Sequence, residues 1–300
     1  MEKTASRSAG KSRVKNGNLS PRRRTYEIVM RTLLYISSGL TVALLLFIIG
    51  TILIDGVPGL SWQFLTTQES VINDTNGILP AIQNTLYVII VTLIIVLPLG
   101  VGAAIYLTEY ASNRRLVAAI EYATETLAGI PSILYALVGM LVFCQMMGLG
   151  KTLLAGSLTL VIMTLPTIIR TTQESLKTVP QSYREGALGL GAGRWHMIRT
   201  IVLPSSIDGI VTGCILAIGR IVGESAVLMF TAGMSMTLQD FFSNGGLIHS
   251  SGATLTVALY VYAKERADFK LAMSVAVVLL CITLCINLAA KLVGKRLKKK

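Results

Sequence analysis

Long apolar runs alternate with short polar ones along most of this chain. The first, Leu33 to Ile54, follows a polar basic stretch and ends at Asp55-Gly56-Val57-Pro58. Five more follow at roughly 84–107, 119–147, 153–169, 207–234 and 271–293. Each approaches or passes the ~20 residues that cross ~30 Å of hydrocarbon at ~1.5 Å per residue, the fourth being the shortest. The first run is longer than the ~7–15 residues of a signal-peptide core, and no small-residue cleavage site follows it. The pattern predicts an all-α integral membrane protein with about six transmembrane helices. The membrane domain covers 33–293, preceded by a disordered basic tail over 1–32 and followed by a basic tail over 294–300.

Composition agrees. Of 300 residues 53% are hydrophobic and only 14% charged, where soluble domains carry about 25%. The net charge of +12 raises the question of nucleic acid, which its distribution answers. With the N-terminus inside, segments 1–32, 108–118, 170–204 and 291–300 hold 22 of the 27 Lys and Arg. The first outer loop, 55–83, holds none. Six spans with both termini cytoplasmic follow from the positive-inside rule. Cys144, Cys214, Cys281 and Cys285 all fall in apolar stretches and read as packing residues, not a disulfide framework. Pro98, Pro131 and Pro166 lie within spans, where kinks open cavities. No internal repeat is evident, which disfavours an inverted-repeat secondary transporter.

The loop between the fourth and fifth spans, 170–204, is the most informative stretch. Ser182, with Glu185 three residues on, matches a capping box, and Gly189, Gly191 and Gly193 punctuate the end. Trp195, Ile198 and Ile201-Val202-Leu203 then supply apolar positions suited to a membrane surface, and Pro204 breaks the chain before the fifth span. The reading is a short exposed helix fixed to two membrane helices, a shape that another protein can push on.

Glu185-Gly186-Ala187, then Gly191 after three residues, then Ile201, Leu203 and Pro204, resembles the loop motif of binding-protein-dependent ABC importer permeases. In that family the motif begins Glu-Ala-Ala. Gly186 is the one departure, and it weakens the helix by about 1 kcal/mol. The resemblance implies an ABC importer permease fold whose loop docks on a separate ATPase through Glu185, Gly186, Ala187 and Gly191. No GxxxxGK[ST] phosphate loop occurs here. This chain is therefore expected to be non-catalytic and to bind no cofactor itself, with ATP and Mg on the partner ATPase.

Arg220 and Glu224 fall within the fifth span, with Arg220 about 20 Å along it. A charge there costs roughly 2.5–3.5 kcal/mol on insertion scales. At ~100° per residue, Gly209, Gly213, Ala217, Arg220 and Glu224 share one face, which small residues mark as inward-facing. Two readings stay open. The pair, at i, i+4, neutralises itself and holds helices together. Alternatively Arg220 is a fixed cation for an oxyanion, which its planar fork suits, with Glu224 tuning or releasing the cargo.

The wider pattern is similar to one branch of that family, the PstA-type subunits of phosphate importers. It rests on Arg220-Ile221-Val222-Gly223-Glu224-Ser225 and the residues to Ala232, on Gly129-Ile130-Pro131-Ser132-Ile133-Leu134-Tyr135, and on Arg170-Thr171-Thr172-Gln173-Glu174. The resemblance implies inorganic phosphate as cargo, a bacterial inner membrane location and alternating access. It implies a PstC-type permease partner, a PstB-type ATPase dimer and an external PstS-type binding protein. It gives the pathway roles to Arg220 and Glu224. Arg170, at the cytoplasmic end of the fourth span, is a further pathway candidate or an interfacial anchor. Rival readings are another oxyanion (sulfate, molybdate, phosphonate) and an ATP-independent secondary transporter or channel. Glu121 and Glu125 read as a solvated helix end. His196 and His249 lack metal-ligand neighbours.

Overall fold

The structure, a computed structural model, describes residues 21–70, 75–238 and 246–298. They fall into two units dividing between Thr51 and Ile52. The first is most of helix α1 (Pro21–Gly56). Its apolar side chains, Leu40 and Phe47 among them, are exposed, as befits a helix whose solvent is lipid. The helix opens on Pro21, a residue preorganised for a first helical turn. Residues 21–32 are therefore helical and not part of a disordered tail, and residues 1–20 lie outside the described residues.

The second unit opens with α2 (Trp62–Thr66) and an antiparallel ribbon of β1 (Gln68–Ser70) and β2 (Thr75–Ile78). Then come α3 (Leu79–Ile105) with a π-turn at Tyr106–Tyr110, α4 (Arg114–Ala128), and α5 (Ser132–Gly139) with a π-turn at Met140–Met146. After α6 (Leu153–Lys177) come α7 (Gln181–Gly189), α8 (Arg194–Met197) with a π-turn at Ile198–Val202, and α9 (Leu203–Ser205). The unit finishes with α10 (Ile207–Gly223), α11 (Ala226–Thr231), α12 (Gly246–His249), α13 (Leu255–Tyr260) with a π-turn at Val261–Glu265, and α14 (Phe269–Lys298). Among the described residues four helices are long and apolar enough to cross a membrane, or six if each of two bent pairs counts as one span.

Three departures from the hydropathy pattern have physical causes. The run 119–147 is not one straight helix. It bends by 98° at Gly129-Ile130-Pro131, where Pro131 cannot continue the ladder of α4. The run 207–234 breaks at Glu224, whose extended backbone ends α10. Last, Leu255–Glu265 is a buried helical segment that is too short to register as a span. Leu255, Val257, Ala258 and Tyr262 are all buried there.

The fourth run, shortest by hydropathy, belongs to α6, a helix of 25 residues. Its hydroxyls lower the hydropathy, and most are satisfied within the helix; Ser175 instead donates to the Ser206 carbonyl, and the buried Thr172 hydroxyl has no hydrogen-bond partner among the described residues. Ser157 donates to the Leu153 carbonyl, Thr159 to Ala155 and Thr164 to Leu160, at 2.7–2.8 Å. α6 is the hub of the packing. On one side α3 meets it, with Gly100 against Ile168 and the Thr92 hydroxyl on the Ser157 carbonyl. On another α10 meets it. A Cβ at Gly209 would fall 2.3 Å from the Ser175 hydroxyl, and one at Gly213 2.2 Å from the Thr171 hydroxyl. The small-residue face of α10 thus faces a neighbouring helix, as its spacing predicts.

Among the described residues the apolar interior has four parts, one of them a small cluster of Val96, Val161, Ile168 and Ala217 between α3, α6 and α10. The largest joins Val88, Leu160, Met163, Ile221 and Leu228 in mid-bundle. A second, under the ribbon, joins Phe64, Ile78, Leu255, Tyr262 and Val275. A third, at the opposite ends of α3 and α6, joins Ile105, Leu176, Ala187, Met197, Ile198 and Val202.

Because Gly213 sits against Thr171, Gly213→Ala should destabilise the protein by about 1–3 kcal/mol through overpacking. Thr171→Ala in the same chain should recover part of the loss. Thermal unfolding in detergent reads both, and equal melting of Gly213→Ala and the parent would contradict the close approach.

Candidate functional site

The charged residues of the fifth span sit where two interrupted helices meet. α10 ends at Gly223, and Glu224 is buried in an extended conformation. Its Oε1 accepts the backbone N–H of Val227 at 3.2 Å and so caps the start of α11. The Thr256 hydroxyl donates to the Glu224 carbonyl at 3.3 Å, bracing the break from the start of α13. The Glu224 carboxylate thus engages the Val227 N–H, and it makes no ion pair with Arg220. Among the described residues no carboxylate lies within ion-pair distance of the half-buried Arg220.

Arg220 interacts electrostatically with Tyr135 of α5. The Tyr135 hydroxyl donates to the Leu127 carbonyl at 2.7 Å, across the α4–α5 bend. Tyr135, Ile218, Ile221 and Leu228 share the mid-bundle apolar cluster. A cation without a carboxylate partner is thus held between two helix breaks. That is where irregular backbone at membrane depth is tolerated, buried in protein or along a cavity.

Arg170 stands differently. Its Nε donates to Glu174 at 3.0 Å and its Nη1 reaches Glu125 at 3.5 Å. Glu121 accepts from Lys177 and from Gln173, both at 3.1 Å. Glu121 and Glu125 are therefore not merely a solvated helix end, since they tie α4 to α6. These residues line a cleft of about 290 Å³ in which Arg170 is already balanced by carboxylates.

In the 170–204 segment, α7 starts with Pro180 as its N-cap, so Ser182 lies inside the first turn and makes no capping bond. Glu185 and Gly186 are exposed, and nothing lies within 4 Å of where a Gly186 Cβ would be. Ala187 is buried in the third apolar cluster, so it seats the helix and does not face outward. Gly191 adopts φ +84°. The Ala192 N–H bonds the Ala187 carbonyl and the Gly191 N–H the Leu188 carbonyl, the bond pair of a Schellman ending. Residue 191 thus needs glycine for the helix end itself.

Two residues that sequence reasoning passed over complete this assembly. Arg184 donates to Glu109 through Nη2 at 2.9 Å and Nε at 3.2 Å, and both side chains are nearly buried. It also donates to the Val179 and Leu176 carbonyls, at 2.6 and 2.9 Å. A basic residue beside the motif was visible, but nothing local pointed to a partner 75 residues away.

Residues 96–299 match the family described as binding-protein-dependent transport system inner membrane component. The chain belongs to that family. Its members are permease subunits that work with ATPase and binding-protein partners, and ATP is hydrolysed on the separate ATPase. This permease is 38% identical over 204 residues to YqgI of Bacillus subtilis (strain 168), a probable ABC transporter permease protein, covering 68% of this chain and 69% of that one. It is 31% identical over 243 residues to the phosphate transport system permease protein PstA of Haemophilus influenzae, covering 80% and 83%. In fold it is similar to a chain of a bacterial alginate ABC transporter crystallised with its periplasmic protein. That likeness has TM-score 0.65 at 15% identity and covers 92% of this chain and 99% of that one.

The positive φ at residue 191 gives a direct expectation for this permease. Gly191→Ala should cost about 1–2 kcal/mol, since L side chains disfavour the left-handed region, while Gly191→Asn should cost less. Thermal melting with limited proteolysis of the 181–193 segment checks this. No difference between the Ala and Asn variants would contradict it.

Proposed function

We propose that this ABC importer permease moves inorganic phosphate into the cell by alternating access, as one half of a heterodimer with a PstC-type permease. A PstB-type ATPase dimer would dock on α7 through Glu185 and Gly186, and a PstS-type binding protein would deliver cargo from outside. Both termini would be cytoplasmic, which puts the basic segments around α7 on the ATPase side. The observation that carries the cargo is the similarity to PstA over most of the chain. The chemistry supports it. Arg220 has no carboxylate partner among the described residues, and a planar guanidinium bonds two oxygens of an oxyanion at once. Glu224, fixed as a cap, leaves that cation uncompensated.

Arg170 enters this reading as a residue on the exit route. Its carboxylate partners would have to release it before it could meet an anion.

Uptake of radiolabelled phosphate by cells relying on this system tests the proposal. Arg220→Gln should lower uptake by at least about tenfold with membrane insertion intact, and Arg220→Lys should restore only part, since it keeps charge but not the fork. Excess unlabelled phosphate should compete, and sulfate, molybdate and phosphonates should not. Full uptake by Arg220→Gln would remove the pathway role, and competition by another anion alone would reassign the cargo.

A further inference from the structure

We propose that Arg184 and Glu109 form a strut that carries motion of α7 into the membrane helices, so that the pair is needed for coupling and not for docking. This rests on α7 being the helix that an ATPase moves. Of its nine residues only Arg184 and Ala187, at i, i+3, turn toward the rest of the protein, and the others are exposed. Ala187 offers one methyl to an apolar floor. Arg184 therefore makes the directional connections, and it makes them to two spans.

Its two carbonyl partners, Leu176 and Val179, lie in the last turn of α6 and just beyond it, next to the turn that leads into α7. Its carboxylate partner, Glu109, sits in the π-turn that ends α3. One guanidinium thus ties α7 to the ends of two packed helices. A buried fork of this kind resists sliding and rotation, whereas a single methyl contact does not. The π-turn widens the last turn of α3 at the residue that takes the load.

Glu109 and Arg184 are nearly buried, whereas Glu185 and Gly186 on the same helix are exposed. The surface offered to a partner is therefore separate from the strut beneath it. Removing the carboxylate should leave the partner-facing surface and lose the transmission.

The test uses the complete transporter in lipid vesicles, with Glu109→Gln and Arg184→Lys, the latter keeping the charge without the fork. Cys144, Cys214, Cys281 and Cys285 are replaced by Ser, and Gly219→Cys, a position with open space around it, reports conformation by maleimide labelling. Retention of the ATPase subunits, nucleotide trapping by vanadate and the change in labelling on trapping are measured together. The parent should change its labelling on trapping. Both variants should retain the ATPase and trap nucleotide, with the labelling change reduced about tenfold. Glu109→Asp should regain part of it. A full labelling change in either strut variant would overturn the proposal. Loss of the ATPase from both would also overturn it, since the pair would then anchor docking. No step depends on the cargo, so a parent that changes its labelling but takes up no phosphate would count against the phosphate reading alone. A parent that holds no ATPase would remove the docking premise.

Discussion

The arrangement depends on α6 satisfying most of its hydroxyls locally. A helix carrying Ser157, Thr159, Thr164 and Thr171 would be costly to bury if each hydroxyl needed a partner from elsewhere. Each instead returns a hydrogen bond to the turn before it. The helix then presents short side chains, most of them satisfied locally while Ser175 bonds the Ser206 carbonyl, and its neighbours approach until glycine meets hydroxyl. Gly139 of α5 lies against Thr159, Gly213 of α10 against Thr171 and Gly209 against Ser175. Those contacts fix where α5 and α10 lie, hence where Tyr135 and Arg220 stand. The far end of the same helix and the turn just beyond it supply the Leu176 and Val179 carbonyls that receive Arg184. One helix therefore aligns the intramembrane cation with the loop helix.

The two helix breaks in this region are made stable in different ways. At Gly129-Ile130-Pro131 the backbone turns by 98°, and a side-chain hydroxyl, that of Tyr135, bonds the Leu127 carbonyl left at the end of α4. At Glu224 a carboxylate takes the N–H of Val227 at the start of the next helix. The second solution has an electrostatic consequence. A carboxylate committed to a backbone cap makes no ion pair with the cation one helical turn earlier, so Arg220 is left without a carboxylate partner among the described residues. The break leaves the positive charge of Arg220 available.

What was legible in the sequence follows from the range of each interaction. Hydropathy marks α1, α3 and α14 because their signal is summed along one segment. It underrates α6, where satisfied hydroxyls count as polar, and passes over Leu255–Glu265, which is buried by neighbours and not by length. It also runs through both breaks, because apolar side chains continue across them while the backbone does not. The loop motif is local, and its Gly191 shows why spacing carries information: the glycine stands where the helix needs a left-handed residue. The Glu109–Arg184 pair joins residues 75 apart, so only the folded chain reveals it.

The departure of Gly186 from the family's alanine falls on the outward side of α7. A nine-residue helix is too short to be stable alone, so its order comes from tertiary bonds and not from propensity. The roughly 1 kcal/mol that glycine removes from helix propensity is therefore a small term beside the Arg184 fork and the Schellman ending. The missing methyl changes the surface instead. It leaves open space beside Glu185, where a partner's backbone can come closer than alanine would allow. In the proposed docking, substitution at 186 would act on the fit of the partner, whereas substitution at 184 or 187 acts on the seat of the helix. Four consecutive residues thus divide the work by which way the helix turns them.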